Sequence, residues 1–355
     1  MAYSNIKDPS AHFQTDIYTG DNANTHAITN DGNSDLQPDL VWIKRRDYDN
    51  QHVLHDTSRG VTKFISTDRT DAEGTISPTT KFQSFDSDGF TTGSTSGAYN
   101  ASGEPFVAWQ WKANGGTTSS NTDGTKTATV QANQDAGFSI VTYAGSGSAS
   151  TVGHGLADTP DMIIFKNRSG ANVWATYHQS LGNNYKLELN GTAAQDADGS
   201  FMNGTLPTSS VFTVGASVNT NGSGSNYVAY CFAEKQGYSK FGKYIGTGAR
   251  DYAPFVYTGF KPAFVMVRCS NITGQWLMFD SARNPYNGDF DYLRANNAGA
   301  EENSGLSFVD PIDFLSNGFR VTNYDAWMNG GSNTYIYIAF AETPFVAGGV
   351  PTTAR

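Results

Sequence analysis

Pro38-Asp39-Leu40-Val41-Trp42-Ile43-Lys44 has two further copies in this chain, Pro160-Asp161-Met162-Ile163-Ile164-Phe165-Lys166 and Pro262-Ala263-Phe264-Val265-Met266-Val267-Arg268. Each is a Pro, a small or acidic residue, four apolar residues and a base. Four apolar residues in a row leave no polar face, so the run predicts a strand buried on both sides and central in its sheet. Proline is tolerated at such a strand's start, where its missing N–H costs least. The terminal base is expected to reach water over its own stem. A run used three times predicts a fold built three times.

Flanking segments recur in the same order. Each repeat opens on Tyr-x-Gly, at Tyr18-Thr19-Gly20, Tyr143-Ala144-Gly145 and Tyr244-Ile245-Gly246. After the Pro-led run come Val53-Leu54-His55-Asp56, Trp174 to His178 and Trp276 to Asp280. Phe85-Asp86-Ser87-Asp88-Gly89-Phe90 matches Phe314-Leu315-Ser316-Asn317-Gly318-Phe319, with a degenerate copy around Val211 to Val214. Asp-Gly and Asn-Gly between apolar residues predict a tight I′-type hairpin. Each repeat closes on an alternating strand: Phe106 to Trp111, Tyr227 to Phe232 and Tyr335 to Phe340. Period-two alternation marks a half-buried strand. The Val107/Trp109/Trp111, Val228/Tyr230/Phe232 and Ile336/Ile338/Phe340 faces are expected to fill each repeat's own core. Gln110, Cys231 and Ala339 mark a shallower, partly exposed face. Phe106, Tyr227, Tyr335 and Tyr337 on that face then ask for cover from a crossover, a neighbouring repeat or another chain.

The opening tyrosines stand 125 and 101 residues apart. The excess lies in the Gly/Ser/Thr/Asn-rich stretch 114–135, which reads as a linker or extended crossover. The expected organisation is β-sandwich repeats over 1–113, 136–238 and 239–345, with a tail over 346–355. A period of about 100 residues suits independent sandwiches. The fold class is therefore all-β: three tandem antiparallel β-sandwich repeats, with a concanavalin-like jelly roll as the subtype. The 355 residues carry a formal charge of −10, which disfavours nucleic acid as a partner. Lys44-Arg45-Arg46 reads as a solvated strand end. The start, Met1 to Pro9, shows no export signal, and no run is long enough to insert in a membrane. Cys231 and Cys269 fall at positions where the other repeats have no Cys, so the fold is expected to need no disulfide.

The Tyr-x-Gly opening, Gly259-Phe260-Lys261-Pro262, Asp280-Ser281-Ala282-Arg283 and Phe340-Ala341-Glu342 together resemble a repeat family of tailed-phage virion proteins, common in marine and cyanobacterial phages. The resemblance runs from about Pro9 to the C-terminal tail. It implies a tail fibre or similar appendage component that contacts the host surface, assembled in the host cytoplasm into the virion. It brings no catalytic residues. Capsid decoration protein, carbohydrate-binding module and polysaccharide-degrading tailspike are the alternatives. The partners it implies are copies of itself, with a trimer favoured, other virion proteins and host-surface glycan.

No constellation in the chain specifies an enzyme or a cofactor. His52 and His55 stand three apart on a strand and so face opposite ways, which is poor geometry for one metal ion. Asp86-Ser87-Asp88-Gly89 resembles part of a calcium loop, but its third copy keeps only the turn. Asp68 to Glu73 reads as a solvated acidic loop. Asp56/Arg59 and Asp280/Arg283 read as bracing ion pairs, absent from the second repeat, which has His178 and Leu181 instead. His154 has no nucleophile motif near it. The surface-binding candidates are aromatics in Gly/Asn-rich stretches: Tyr99, Tyr252, Tyr286, Tyr324 and Trp327. Exposed rings of this kind stack on sugar faces or anchor interfaces.

Overall fold

The computed structural model describes residues 4–94, 97–288, 291–302, 311–344, 346–347 and 350–351. Among them there is no α-helix; apart from one 3₁₀ turn at Pro9–Ala11, the regular structure is antiparallel sheet. One strand order occurs three times: opening strand, closing strand, Pro-led strand, following strand. In the first segment these are Phe13–Thr19, Pro105–Trp111, Leu40–Arg45 and Val53–Asp56. In the second they are Phe138–Ala144, Asn226–Phe232, Met162–Asn167 and Ala175–His178. In the third they are Ser239–Ile245, Thr334–Pro344, Phe260–Cys269 and Trp276–Asp280. The register also repeats, with Leu40 opposite Trp111, Met162 opposite Phe232 and Phe264 opposite Phe340. Each Pro-led strand is central, as its unbroken apolar run predicts.

A smaller outer sheet covers one face of each of these sheets. It comprises His26–Ile28, Gly89–Thr92 and Phe82–Asp86 in the first segment, and Phe255–Tyr257, Gly318–Val321 and Ile312–Leu315 in the third. In the second it is only Ser150–Gly153 with Val211–Val214. The Tyr-x-Gly opening ties strand to loop identically in all three: Tyr18, Tyr143 and Tyr244 donate to the carbonyls of Tyr99, Thr220 and Met328 at 2.6–2.7 Å. The glycine two residues on must be bare, because a Cβ at Gly20, Gly145 or Gly246 would stand 2.1–2.3 Å from a backbone oxygen of the facing loop.

The closing-strand faces are the reverse of what their composition suggests. Phe106 and Ala108, Tyr227, Ala229 and Cys231, and Tyr335, Tyr337 and Ala339 lie inside the β-sandwich-like layers, against the outer sheets. Gln110 is fully buried too, its Nε2 donating to Asp16 and Asn30 at 2.6 Å each. The large apolar faces instead meet in one central core that draws on all three segments. Trp111 packs on Phe232, Phe264 and Phe340 there. Of the covers open to these rings, the one found lies within this chain. A small cavity lined by Trp42, Trp111, Trp174, Phe232, Phe264 and Phe340, among others, sits at the meeting point.

Three further expectations need correction. The bases ending the Pro-led runs do not reach water: Lys44, Lys166 and Arg268 are fully buried. Their charges rest on backbone carbonyls, Lys44 on Arg45 and Tyr48, Lys166 on Thr70 and Asn172, and Arg268 on Ala193. Burial pulls both lysines down to about 8 and Arg268 to about 10. The hairpin stands where it was expected, but its glycine is outside the turn. Gly89 pairs with Asp86 at φ 106°, where a Cβ would strike the Ile28 carbonyl, and Ser87-Asp88 form the turn without positive φ, so it is not I′. The stretch 114–135 is no bare linker. Ser119–Asn121 and Ala128–Asn133 add two strands to the edge of the second segment's sheet.

Candidate functional site

The polar groups that recur in the sequence converge where one segment meets the next. Asp56 accepts from Arg59 Nε at 2.5 Å, and Asp280 from Arg283 Nε at 2.6 Å; all four side chains are fully buried. Burial works against both guanidinium charges, but the adjacent carboxylates outweigh it and hold both pKa values up. Each Asp also receives a bond from a neighbouring segment's closing strand. Tyr230 OH donates to Asp56 Oδ2 at 2.6 Å, and Trp109 Nε1 to Asp280 Oδ2 at 3.1 Å. A second acid completes each set. Glu73 takes Arg59 and, across the interface, Arg168; Glu301 takes Arg283 and, across the interface, Arg46.

At the remaining interface the whole set is neutral. The closing strand there offers Ile338, which has nothing to donate. Facing it is His178, whose Nε2 donates to the Tyr337 carbonyl at 3.3 Å while Nδ1 accepts from Ser180 N. Leu181 replaces the arginine, Gln195 the second acid and Ser270 the neighbour's arginine. The backbone contact nevertheless persists: Glu73 N to Arg168 O, Gln195 N to Ser270 O and Glu301 N to Arg46 O, at 2.6–2.9 Å. The contacts therefore run round the molecule in one sense, with the same geometry and different chemistry at one joint. A further ring of bonds follows the same circuit: His52 Nε2 to Asn297 O, Trp174 Nε1 to Ser66 O and Trp276 Nε1 to Glu188 O.

The remaining chemistry candidates are likewise taken up by the fold. His52 accepts from Trp42 Nε1 and faces the third segment, whereas His55 meets Tyr99 OH and stacks on Phe82, so the two do not converge. Asp86 accepts from Ser84 and Thr91, and Asp88 from Leu36 N. The acidic loop is not simply solvated, since Asp68 accepts from His52 N and Glu73 bridges two arginines. Nor is Lys44-Arg45-Arg46: beside buried Lys44, Arg45 pairs with Asp47 and Glu104, and Arg46 with Glu301. His154 is buried against the Thr208 carbonyl and Leu156 N. Cys231 and Cys269 are free and buried. Among the described residues no group of three or more His, Cys, Asp or Glu is placed to hold a metal ion. Asp16 is raised to about 7, by burial first and then by Asp31.

The five aromatic candidates do not form one set. Tyr99 is buried (2% exposed) because its loop folds over the first segment's inner layer. Trp327 is half-buried against the third segment's core. Tyr252, Tyr286 and Tyr324 stand 80%, 78% and 68% exposed. Tyr252 and Tyr324 lie on adjoining loops, since Asn329 Nδ2 donates to both Ala249 O and Asn323 O, and Val321 N to Pro254 O. Tyr286 is elsewhere, next to Asn287, which is bonded to Phe314 at the far edge of the outer sheet. Sequence reasoning missed Glu73, Glu301, Arg46 and Arg168. Their signal is the way Glu, Gln, Glu covary with Arg, Ser, Arg across the three copies.

No curated protein matches the chain. Residues 8–344 match a family described as a domain of unknown function, DUF7483, over a span that runs through all three segments. The chain belongs to the DUF7483 family.

Proposed function

We propose that this is a non-enzymatic virion structural protein of a tailed phage, part of a tail fibre or similar appendage that contacts the host surface. Its body is three tandem β-sandwich units of jelly-roll kind, closed about a common core. One observation carries the reading: the buried acids and bases that could do chemistry are used to join segment to segment. Asp56, Arg59, Glu73 and Arg168, and Asp280, Arg283, Glu301 and Arg46, are complete as braces. The resemblance of the repeated motifs to tailed-phage proteins supports the virion setting. Because the closing-strand rings are covered inside the chain, docking onto other virion proteins is the preferred form of assembly, ahead of a homotrimer.

The test is to image purified particles with this protein labelled. Label at a tail appendage is the expected result; particles that lack the protein overturn the reading. The purified chain is also expected not to depolymerise host-surface polysaccharide. Release of oligosaccharide that stops on changing one Asp or Glu would replace this reading with a tailspike enzyme.

A further inference from the structure

The three segments serve as controls for one another. An exposed ring that only one segment carries is not required by the strand order all three share. Val256 in the third segment's outer sheet pairs with Phe319, as Ile28 pairs with Phe90 and Val152 with Phe212. On either side of that buried position stand exposed Ala27 and Thr29 in the first segment, half-buried Thr151 and buried Gly153, which lies against Asn121, in the second, and Phe255 and Tyr257 in the third, 48% and 53% exposed. The preceding loop is also longer there. The buried residue follows the Tyr-x-Gly glycine by eight residues in the first segment, seven in the second and ten in the third. The extra length carries Tyr252.

The facing loop shows the same bias. Asn100, Asn221 and Asn329 anchor it equivalently, each accepting from the residue after the Tyr-x-Gly glycine. Five residues before that asparagine the sequence has Thr95, Ala216 and Tyr324; two before, it has Ala98, Asn219 and Trp327. The other two copies carry no aromatic residue at these places, so the shared strand order does not call for a ring there. Among the described residues, the buried Asn323 Nδ2 and Thr322 Oγ1 next to Tyr324 have no hydrogen-bond partner.

We infer that this end of the third segment, built by residues 247–255 and 322–328, is a binding site for a neutral glycan, with Tyr252 and Tyr324 as stacking platforms. Tyrosine offers a flat apolar face to a sugar's C–H side and a hydroxyl to its polar edge. Both rings stand largely exposed with charged neighbours in sequence, Arg250 and Asp251 before Tyr252 and Asp325 after Tyr324, unlike the charge-depleted apolar core that a protein interface uses. The exposed charges around them are of both signs, Arg250 and Arg320 with Asp251, so nothing selects an anionic or cationic ligand. A glycan site here deepens the host-contact part of the proposed function. Because it is read on the purified chain, it stands or falls separately from the place of the protein in a virion.

The experiment titrates the full chain with cellohexaose, maltohexaose, laminarihexaose and mannohexaose, with an alginate hexamer as the acidic control, and follows intrinsic fluorescence and ligand-observed NMR. Saturable binding of at least one neutral hexaose is expected, in a range visible up to roughly 10 mM ligand. Tyr252→Ala and Tyr324→Ala should each weaken it by roughly tenfold, as for the loss of one stacked ring. Tyr48→Ala and Tyr185→Ala, exposed tyrosines of the other segments, should leave it unchanged. The unfolding midpoints of all four variants should stay at the parent value, which separates lost binding from lost fold. No binding of any neutral hexaose, binding indifferent to Tyr252 and Tyr324, or binding of the alginate hexamer alone would each overturn the inference. So would variants that change only the sedimentation of the protein, because the rings would then belong to a protein interface.

Discussion

Asp56 and His178 occupy the same place in their segments and solve the same problem differently. Asp56 faces Tyr230 and accepts a hydrogen bond from its hydroxyl; His178 faces Ile338, which has no donor, and donates to a backbone carbonyl instead. Tyr230→Phe should therefore cost about 1–3 kcal/mol, because Asp56 is left buried with one acceptor site unfilled. Trp109→Ala should cost more, roughly 3–5 kcal/mol, since it removes a fully buried indole and its bond to Asp280. Gln110→Ala belongs with Tyr230→Phe, at about 1–3 kcal/mol, because Asp16 and Asn30 lose their shared donor. Urea unfolding midpoints check all three. His178 also makes the third interface acid-sensitive. Burial lowers its pKa to about 4 from the ordinary 6.5. The unfolded chain thus binds the proton first, and the stability His178 contributes, full above pH 6.5, is lost as the pH falls towards 4. Replacing His178 by Gln should flatten the fall in midpoint over that window; an unchanged slope would contradict the assignment.

At the scale of elements, the strands were legible and their facing was not. Three Pro-led runs, three Tyr-x-Gly openings and three alternating closing strands could be found because period and turn chemistry are local. Which face of the closing strand points where depends on a layer the sequence places far away. Trp109 and Tyr230 look like the core of one sandwich, yet they fill a space shared by three. The bases at the run ends look like strand ends in water for a related reason: nothing local shows that the next segment's backbone will cover Lys44, Lys166 and Arg268. The Asp-x-x-Arg pairs could be read as braces, but their partners Glu73, Glu301, Arg46 and Arg168 needed the interface to be seen. That interface predicts strong non-additivity. Glu73→Gln alone leaves Arg59 and Arg168 without their shared carboxylate and should be clearly destabilising. Combined with Asp56→His, Arg59→Leu, Arg168→Ser and Tyr230→Ile, it copies the neutral joint, and the fivefold variant should lose less than the five single effects added together. Chemical denaturation of the singles and the combination measures the difference; strict additivity would mean that these residues do not act as one set.

For the whole molecule, a common core makes the segments interdependent. Each would expose its Val107/Trp109/Trp111-type face if its neighbours came away, and that apolar area is what holds the circuit closed. Independent sandwiches on a string would melt one by one; segments sharing a core should melt as one. Scanning calorimetry of the full chain tests this directly, with Trp109→Ala beside it. The account predicts a single transition whose calorimetric and van't Hoff enthalpies agree, moved as a whole to lower temperature by Trp109→Ala. Two or three resolved transitions, with Trp109→Ala shifting only one of them, would contradict it.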